Sequence, residues 1–324
     1  MNLQILVPQY KETDEVIKPL LDSIAMQQGV DFDQVGVIIC NDGSDVHLTE
    51  DFLRSYPFVI EYYICEHRGV SATRNECLDH AIADYVMFCD ADDMFSDVTG
   101  LFRIFDEIFK GFDTLVSVFI EEARHKATGE PMFVKHEHDC TFVHGKVHSR
   151  MYLMDHDLRF DESLTLHEDS YFNIQCQSLT ENIAYIEEPF YLWKWRADSV
   201  CRSDEKFLLK TYDRMIDSVD ALIESMTYKG EFDKAIYHLV ALIFDAYYRM
   251  QEPEWQDHEN IRHREAAERR FAEFYDKWKD TWLKIKASEK VKISQEMRER
   301  IIDKGMLMES ITLDDWLKHI EESI

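Results

Sequence analysis

Positive charge is scarce in this sequence relative to negative charge. Lys and Arg number 36 against 64 Asp and Glu, for a formal net charge of −28. Such a balance favours solubility and repels polyanions, so it argues against a broad nucleic-acid groove or an anionic membrane surface and leaves room only for a local basic patch. Six prolines and ten glycines are spread through 324 residues, so no long flexible linker, fixed-period repeat or low-complexity segment is evident. Apolar runs are short. The longest, around Leu239 to Phe244, is flanked by charges and falls far below the ~18 residues of a membrane span, so no transmembrane helix is expected. The opening Met1-Asn2-Leu3-Gln4-Ile5 carries no basic n-region and no long apolar h-region, so no signal peptide is expected. The seven cysteines (40, 65, 77, 89, 140, 176 and 201) are odd in number and contain no C-x-x-C pair. Most sit in apolar runs and read as buried free thiols in a reducing, cytoplasmic setting. Neither G-x-x-x-x-G-K-[ST] nor G-x-G-x-x-G occurs, so P-loop and dinucleotide-binding readings lack support.

What is present is ample material for a core: 45% hydrophobic residues, 13% aromatic, which excludes a disordered chain. At ~150 residues per domain, the length suggests two domains. Over the first hundred residues, strands alternate with helices. Strands are expected at 3–7, 35–40, 59–65, 85–89 and 114–121, and helices at 13–26 (with Pro19 interrupting its first turns), 70–83 and 101–110. Such alternation implies an α/β fold with a mostly parallel sheet, whose ligands bind beyond the C-terminal strand ends. Residues 122–200 are mixed, with a helix near 169–179. From about 205 the apolar spacing is helical: 207–226, 232–250, 261–285 and two shorter helices. We therefore expect an α/β domain over 1–204 and a helical domain over 205–324.

Four polar clusters fall at the expected strand ends. Asp90-Ala91-Asp92-Asp93 follows a buried strand. Carboxylates there repel one another and lose hydration unless a cation compensates, and hard divalent ions such as Mg²⁺ suit them. An acidic cap on the next helix is the plainer reading. Asn41-Asp42-Gly43-Ser44 ends another strand. Asp42 offers acceptors to a base or ribose, although an Asn-Asp-Gly turn needs no ligand. His67-Arg68-Gly69 opens a helix whose N–H groups suit a phosphate, with Arg74 one turn in and able to reach an anion or Asp90. His167-Glu168-Asp169 precedes a helix. Its carboxylates serve either the helix dipole or as a general base. His136-x-His138 with Cys140 suggests zinc only weakly, because no second ligand pair follows.

In order along residues 3–203, these pieces resemble the family 2 glycosyltransferases. Val7-Pro8-Gln9-Tyr10-Lys11 is similar to the V-P-x-Y-N element, with Lys11 in place of asparagine. Asn41-Asp42-Gly43-Ser44-Asp45 is similar to D-D-G-S, with Asn41 in place of the first aspartate. Gly69 to Asn75 is similar to G-x-S-x-A-R-N, Asp90 to Asp93 to the D-x-D motif, and Gly145-Lys146-Val147 to a G-K-L segment. Phe160, Glu162 and Glu168-Asp169 follow at about the family spacing, and Tyr191-x-Trp193-x-x-Arg196-x-x-Ser199 is similar to Y-x-Y-R-x-x-S.

The resemblance implies a GT-A fold: a Rossmann-like, mostly parallel sheet flanked by helices, here with a helical C-terminal region. It also implies an inverting enzyme that moves a sugar from a UDP-sugar to the hydroxyl of a glycan, lipid-linked saccharide or similar acceptor, as in polysaccharide biosynthesis. On that reading Pro8, Tyr10 and Asp42 hold the nucleoside, and Arg74 supports the nucleotide loop. Asp90 contacts ribose or sugar, and Asp92 with Asp90 binds Mn²⁺ or Mg²⁺. Arg196 and Ser199 close on the diphosphate. Asp169 is the base and Glu168 the lesser candidate. His144 and His148, which flank Gly145-Lys146, line the acceptor cleft with Lys146 on this reading, although surface or packed histidines are the plainer one. Two alternatives are a transferase acting on hydroxylated DNA bases, disfavoured by the charge, and a non-catalytic assembly module. The C-terminal tryptophans Trp255, Trp278, Trp282 and Trp316 read as core, with a homodimer interface as the sharper alternative. Arg262, Arg264, Arg269 and Arg270 read as a solvated face.

Overall fold

The computed structural model describes residues 1–324 except 126–127, 198, 200–205, 303–310 and 323–324. Cys201 and the expected boundary at 204/205 lie outside the described residues. The chain divides into two compact units, Met1–Ser199 and Val200–Ile324.

The first unit is built on nine strands: β1 (Leu3–Gln9), β2 (Val35–Asn41), β3 (Val59–Ile64), β4 (Tyr85–Phe88), β5 (Met94–Phe95), β6 (Thr114–Arg124), β7 (Pro131–His136), β8 (Lys146–Ser149) and β9 (Ile183–Trp193). They form one sheet in the order β3-β2-β1-β4-β8-β6-β9-β5, with β7 paired on β6. β1 to β4 pair in parallel, as the strand–helix alternation predicts. β8 then enters antiparallel between β4 and β6, so the sheet as a whole is mixed.

Period-2 alternation explains why helices cover both faces. Leu3, Ile5 and Val7 of β1 point to one side and pack with Ile17, Leu20, Leu21 and Ile24 of the Asp14–Ala25 helix. Leu6, Ile38, Val86 and Phe88 point to the other, against Cys77 and Leu78 of the Val70–His80 helix and Phe172 of the Glu168–Ser178 helix. β2 is buried along its whole length, which is why it reads as an unbroken apolar run. The six described cysteines are all free thiols, and four of them are buried.

Two local expectations are corrected. Pro19 does not interrupt the first helix, which runs through it from Asp14 to Ala25. In the mixed stretch, β9 is a long strand that the sequence pattern hides. Its pairing with β6 jumps from Ser117↔Ile186 to Phe119↔Tyr191, so a bulge around Pro189 breaks the period-2 signal.

The second unit is helical. Its main helices are Tyr212–Tyr228, Phe232–Arg249, Ile261–Lys284, Ala287–Ile302 and Leu313–Glu322. Trp255, Trp282 and Trp316 are buried in it. Arg270, expected on a solvated face, instead turns toward Asp217 and Asp220. Asp220 is a buried carboxylate that accepts from Arg270 (2.6 Å), Lys277 (2.6 Å) and the Trp278 indole (2.8 Å). Burial pushes its proton affinity up, and these three donors more than offset that, holding it below the usual carboxylate range. No helix among the described residues is long and apolar enough to cross a membrane.

Replacing Asp220 with Ala leaves two cations and an indole N–H without their shared acceptor. The expected loss is about 2–3 kcal/mol of stability, read as a lower urea midpoint by circular dichroism, with Asp220→Asn intermediate. An unchanged midpoint in the alanine variant contradicts the assigned role.

Candidate active site

The C-terminal ends of β1, β2, β4 and β9 converge at one edge of the sheet, the place where open α/β folds bind ligands. Each contributes a polar segment.

β2 delivers Asn41 and Asp42. Asn41 is fully buried and serves its own loop: its amide donates to the Val46 carbonyl (2.9 Å) and the Tyr62 hydroxyl (3.0 Å), and its oxygen accepts from Ser44 N–H (2.8 Å). An amide can donate and accept there, where a carboxylate could only accept. Asp42 accepts from the backbone N–H groups of Arg68 (2.8 Å) and Gly69 (3.0 Å), and His67 Nδ1 lies 2.9 Å from it. Its carboxylate thus ties the end of β2 to the turn that opens the Val70–His80 helix. Gly43, at φ +67°, allows this approach, because a Cβ there would lie 2.6 Å from His67 N. Tyr10, half-exposed at the end of β1, stacks on His67 at 4.8 Å and 13°. Pro8 lies two residues before it on β1, paired with Cys40. Lys11 adopts φ 71°, a left-handed conformation that asparagine tolerates and lysine rarely adopts. It is held by its N–H to Ser44 Oγ (3.2 Å), with its ammonium 4.7 Å over the Tyr10 ring.

β4 delivers the acidic loop, and the three carboxylates have three different partners. Asp90 accepts from Arg74 at 3.0 Å. Burial pushes its pKa up, but the guanidinium more than offsets this and holds it below the usual range. Asp92 accepts from Arg196 at 3.0 Å. Burial and the Asp90 charge still raise it. Asp93 is fully buried and accepts from the Tyr191 hydroxyl (2.6 Å) and Lys194 N–H (2.9 Å), which fastens the loop to the end of β9. Burial, followed by repulsion from Asp90 and Asp92, pushes Asp93 well above the usual carboxylate range.

Arg74 has a second partner. Its guanidinium is 6% exposed and spans Asp90 and Glu168, the latter at 2.7 Å. It so joins the acidic loop to the start of the Glu168–Ser178 helix, where Asp169 follows. The entry to that helix is strained: His167 sits at φ 61°. Asp169 is the most perturbed candidate base. Burial first, then the neighbouring Glu168, raise it to about 7 against the opposing pull of Arg74. A base poised near neutrality suits proton abstraction from a hydroxyl.

The three expected acceptor residues are placed differently. His144, Lys146 and His148 are all buried, with 3% exposure or less, so none reaches an acceptor at the surface. Lys146 binds Asp139 (3.3 Å) and the Phe142 carbonyl (2.5 Å). His148 contacts Thr114 (3.2 Å), and burial lowers it to about 3. Sequence alternation on β8 hid this, because β8 is an interior strand with both neighbours in place. His144 turns toward the acidic loop instead. Its Nδ1 makes no hydrogen bond and lies 3.7 Å from Asp93. Burial lowers His144 to about 3, so the imidazole is neutral and able to ligate.

Asp90, Asp93 and His144 each offer one ligand atom, all within 4.8 Å of one another. This donor set, with Asp92 beside it, fits a divalent cation that takes one or two carboxylates and completes its shell with phosphate oxygens. The expected pair was Asp92 and Asp90. His144 and Asp93 were not foreseen as partners of the loop. His136 and His138 pair with Glu121 and Glu187 rather than with each other. Ser199 lies beyond Arg196, its N–H 3.3 Å from the Arg196 carbonyl.

The acidic loop and the Tyr10–His67 stack thus lie at one edge of the sheet, at the ends of its strands. Residues 4–136 match the family model described as Glycosyl transferase family 2. It is 24% identical over 215 residues to the minor teichoic acid biosynthesis protein GgaB of Bacillus subtilis (61% of this chain, 23% of that protein). It is 21% identical over 204 residues to the poly(ribitol-phosphate) beta-N-acetylglucosaminyltransferase TarS of Staphylococcus aureus (60% of this chain, 35% of that protein). The chain thus spans between about a quarter and a third of these curated relatives. The crystal structure of S. aureus TarS 1–349 in complex with UDP-GlcNAc superposes with a TM-score of 0.57 at 16% identity, covering 94% of this chain and 92% of that one. The fold is therefore GT-A-like, with a helical C-terminal region.

The raised Asp169 has a signed consequence. A carboxyl that binds its proton more tightly when folded favours the folded state fully below the usual carboxylate range, and that contribution is lost as pH rises through about 7. Asp169→Asn removes the pH-dependent part. Thermal unfolding of the variant should therefore gain on the wild type between pH 5 and pH 8, about the window of the shift. A constant difference across that range would contradict the raised affinity.

Proposed function

We propose that this chain is an inverting glycosyltransferase that moves a sugar from a UDP-sugar to an acceptor hydroxyl, with Mn²⁺ or Mg²⁺ at the acidic loop. The observation that carries the reading is the Asp90–Arg74–Glu168 bridge, which sets the candidate base Asp169 beside the carboxylates that face the donor. The wall formed by Pro8, Tyr10 and Asp42 receives the nucleoside, with Tyr10 and His67 presenting a stacked aromatic surface. Asp90 and Asp92 would hold the cation, with Asp93 and His144 near enough to Asp90 to contribute ligand atoms. When bound, the cation supplies charge neutralisation for the departing diphosphate. Arg196 and Ser199 belong to the segment that closes on the diphosphate.

Asp169 accepts the proton of the acceptor hydroxyl as that oxygen bonds to the anomeric carbon. The bond from that carbon to the diphosphate oxygen breaks in the same displacement, and UDP leaves from the opposite face. Glu168 stays paired to Arg74 and so is the poorer base. The acceptor is a glycan or another hydroxyl-bearing polymer of the cell surface. The names of the relatives, which concern teichoic acid and poly(ribitol phosphate), support that class.

Calorimetry with UDP and UDP-sugars, each with Mn²⁺, Mg²⁺ or EDTA, tests the donor. We expect metal-dependent binding of UDP and slow hydrolysis of one UDP-sugar. Asp169→Asn should lower transfer about 10²–10⁴-fold while UDP affinity stays within about twofold of the wild type, well under the 1.4 kcal/mol of a tenfold change. Full transfer by that variant, or no nucleotide binding under any condition, overturns the proposal.

A further inference from the structure

Arg196 stands where a cation is expected. Its guanidinium is 3.0 Å from Asp92, the second carboxylate of the acidic loop, and 3.8 Å from Glu12 just beyond β1. Glu12 is a member of this site that the motif reading passed over. It is fixed in place, since one carboxylate oxygen accepts from Tyr10 N–H at 2.6 Å and its own carbonyl accepts from the Gln9 amide at 2.8 Å. Asp92, Glu12 and Arg196 so form a small charge cluster that joins the ends of β1, β4 and β9. Each carboxylate is less than a third exposed, so their mutual repulsion is poorly screened and a neighbouring positive charge matters.

We propose that Arg196 is a resident cation at the donor site, one that competes with the divalent metal for Asp92 and so makes metal binding depend on the nucleotide. This rests on the donor reading given above. With no nucleotide present, a divalent ion at Asp92 faces a guanidinium held on the same carboxylate, and the two repel. When a diphosphate enters, its oxygens accept Arg196 and also complete the metal's shell. Arg196 then moves from a carboxylate to a phosphate partner, for which its planar fork is equally suited. Metal and nucleotide therefore strengthen each other, and the coupling is reciprocal. Glu12 is a positioning residue: it is the second carboxylate that keeps Arg196 at the site in the absence of ligand.

The readout is metal binding rather than turnover. Free Mn²⁺ is measured by electron paramagnetic resonance during titration of the whole chain, with and without saturating UDP. In the wild type, UDP should tighten Mn²⁺ binding at least tenfold. In Arg196→Gln, Mn²⁺ alone should bind at least fivefold more tightly than to the wild type, and the gain from adding UDP should shrink. Arg196→Lys keeps a positive charge and should restore most of the wild-type weakness toward Mn²⁺ alone. Circular dichroism confirms that each variant is folded. If wild type binds Mn²⁺ with UDP but Arg196→Gln leaves the affinity for Mn²⁺ alone unchanged or weaker, the competition is wrong and the donor reading survives. If no variant binds Mn²⁺ with or without UDP, both are overturned.

Discussion

Arg74 is nine-tenths buried and carries a charge that would be expensive to hide alone. What makes it tolerable is that two carboxylates from distant parts of the chain meet it: Asp90 at 3.0 Å and Glu168 at 2.7 Å. The attraction of those partners outweighs the burial penalty and holds the guanidinium firmly protonated. Each partner stands at the start of an element of the proposed site. Asp90 opens the acidic loop, and Glu168 opens the helix that bears Asp169. The acidic loop and the start of the Asp169 helix, the two halves of the proposed site, are therefore joined by one electrostatic link.

A site with so many carboxylates must be balanced locally, because the chain as a whole carries −28. The balance is struck one acid at a time. Asp90 takes a guanidinium, Asp92 another, Asp93 a phenol and a backbone N–H, and Asp42 two backbone N–H groups with an imidazole. The outcome is a graded set of proton affinities, with Asp90 lowered, Asp92 raised and Asp93 raised well above the ordinary range. Neighbours in sequence thus differ in character because their partners differ.

Much of this was legible in the sequence. Apolar strands closed by polar clusters located β1, β2 and β4, and the polar clusters at their ends do meet at one edge. The approach of Arg74 to Asp90 follows from its place one turn into the helix that Gly69 opens. What resisted reading depends on contacts distant in sequence. β8 and β9 pair with strands far along the chain, and the bulge around Pro189 erases the periodicity of β9. Lys146 and His148 carry polar side chains on an interior strand, and His144 lies buried just before it, where composition alone assigns such residues to a surface. Glu12 sits in no apolar pattern, and only the arrival of Arg196 marks it.

Asp42 has a consequence of another kind. Because its oxygens are already engaged by Arg68, Gly69 and His67, the turn beneath the Tyr10–His67 stack is set when the protein folds. A planar ring arriving there meets a surface whose ordering entropy was lost during folding and is not charged to the encounter. On the proposed donor reading, such a wall gains affinity through rigidity and discriminates by shape, since it has little freedom to adapt to a larger ring.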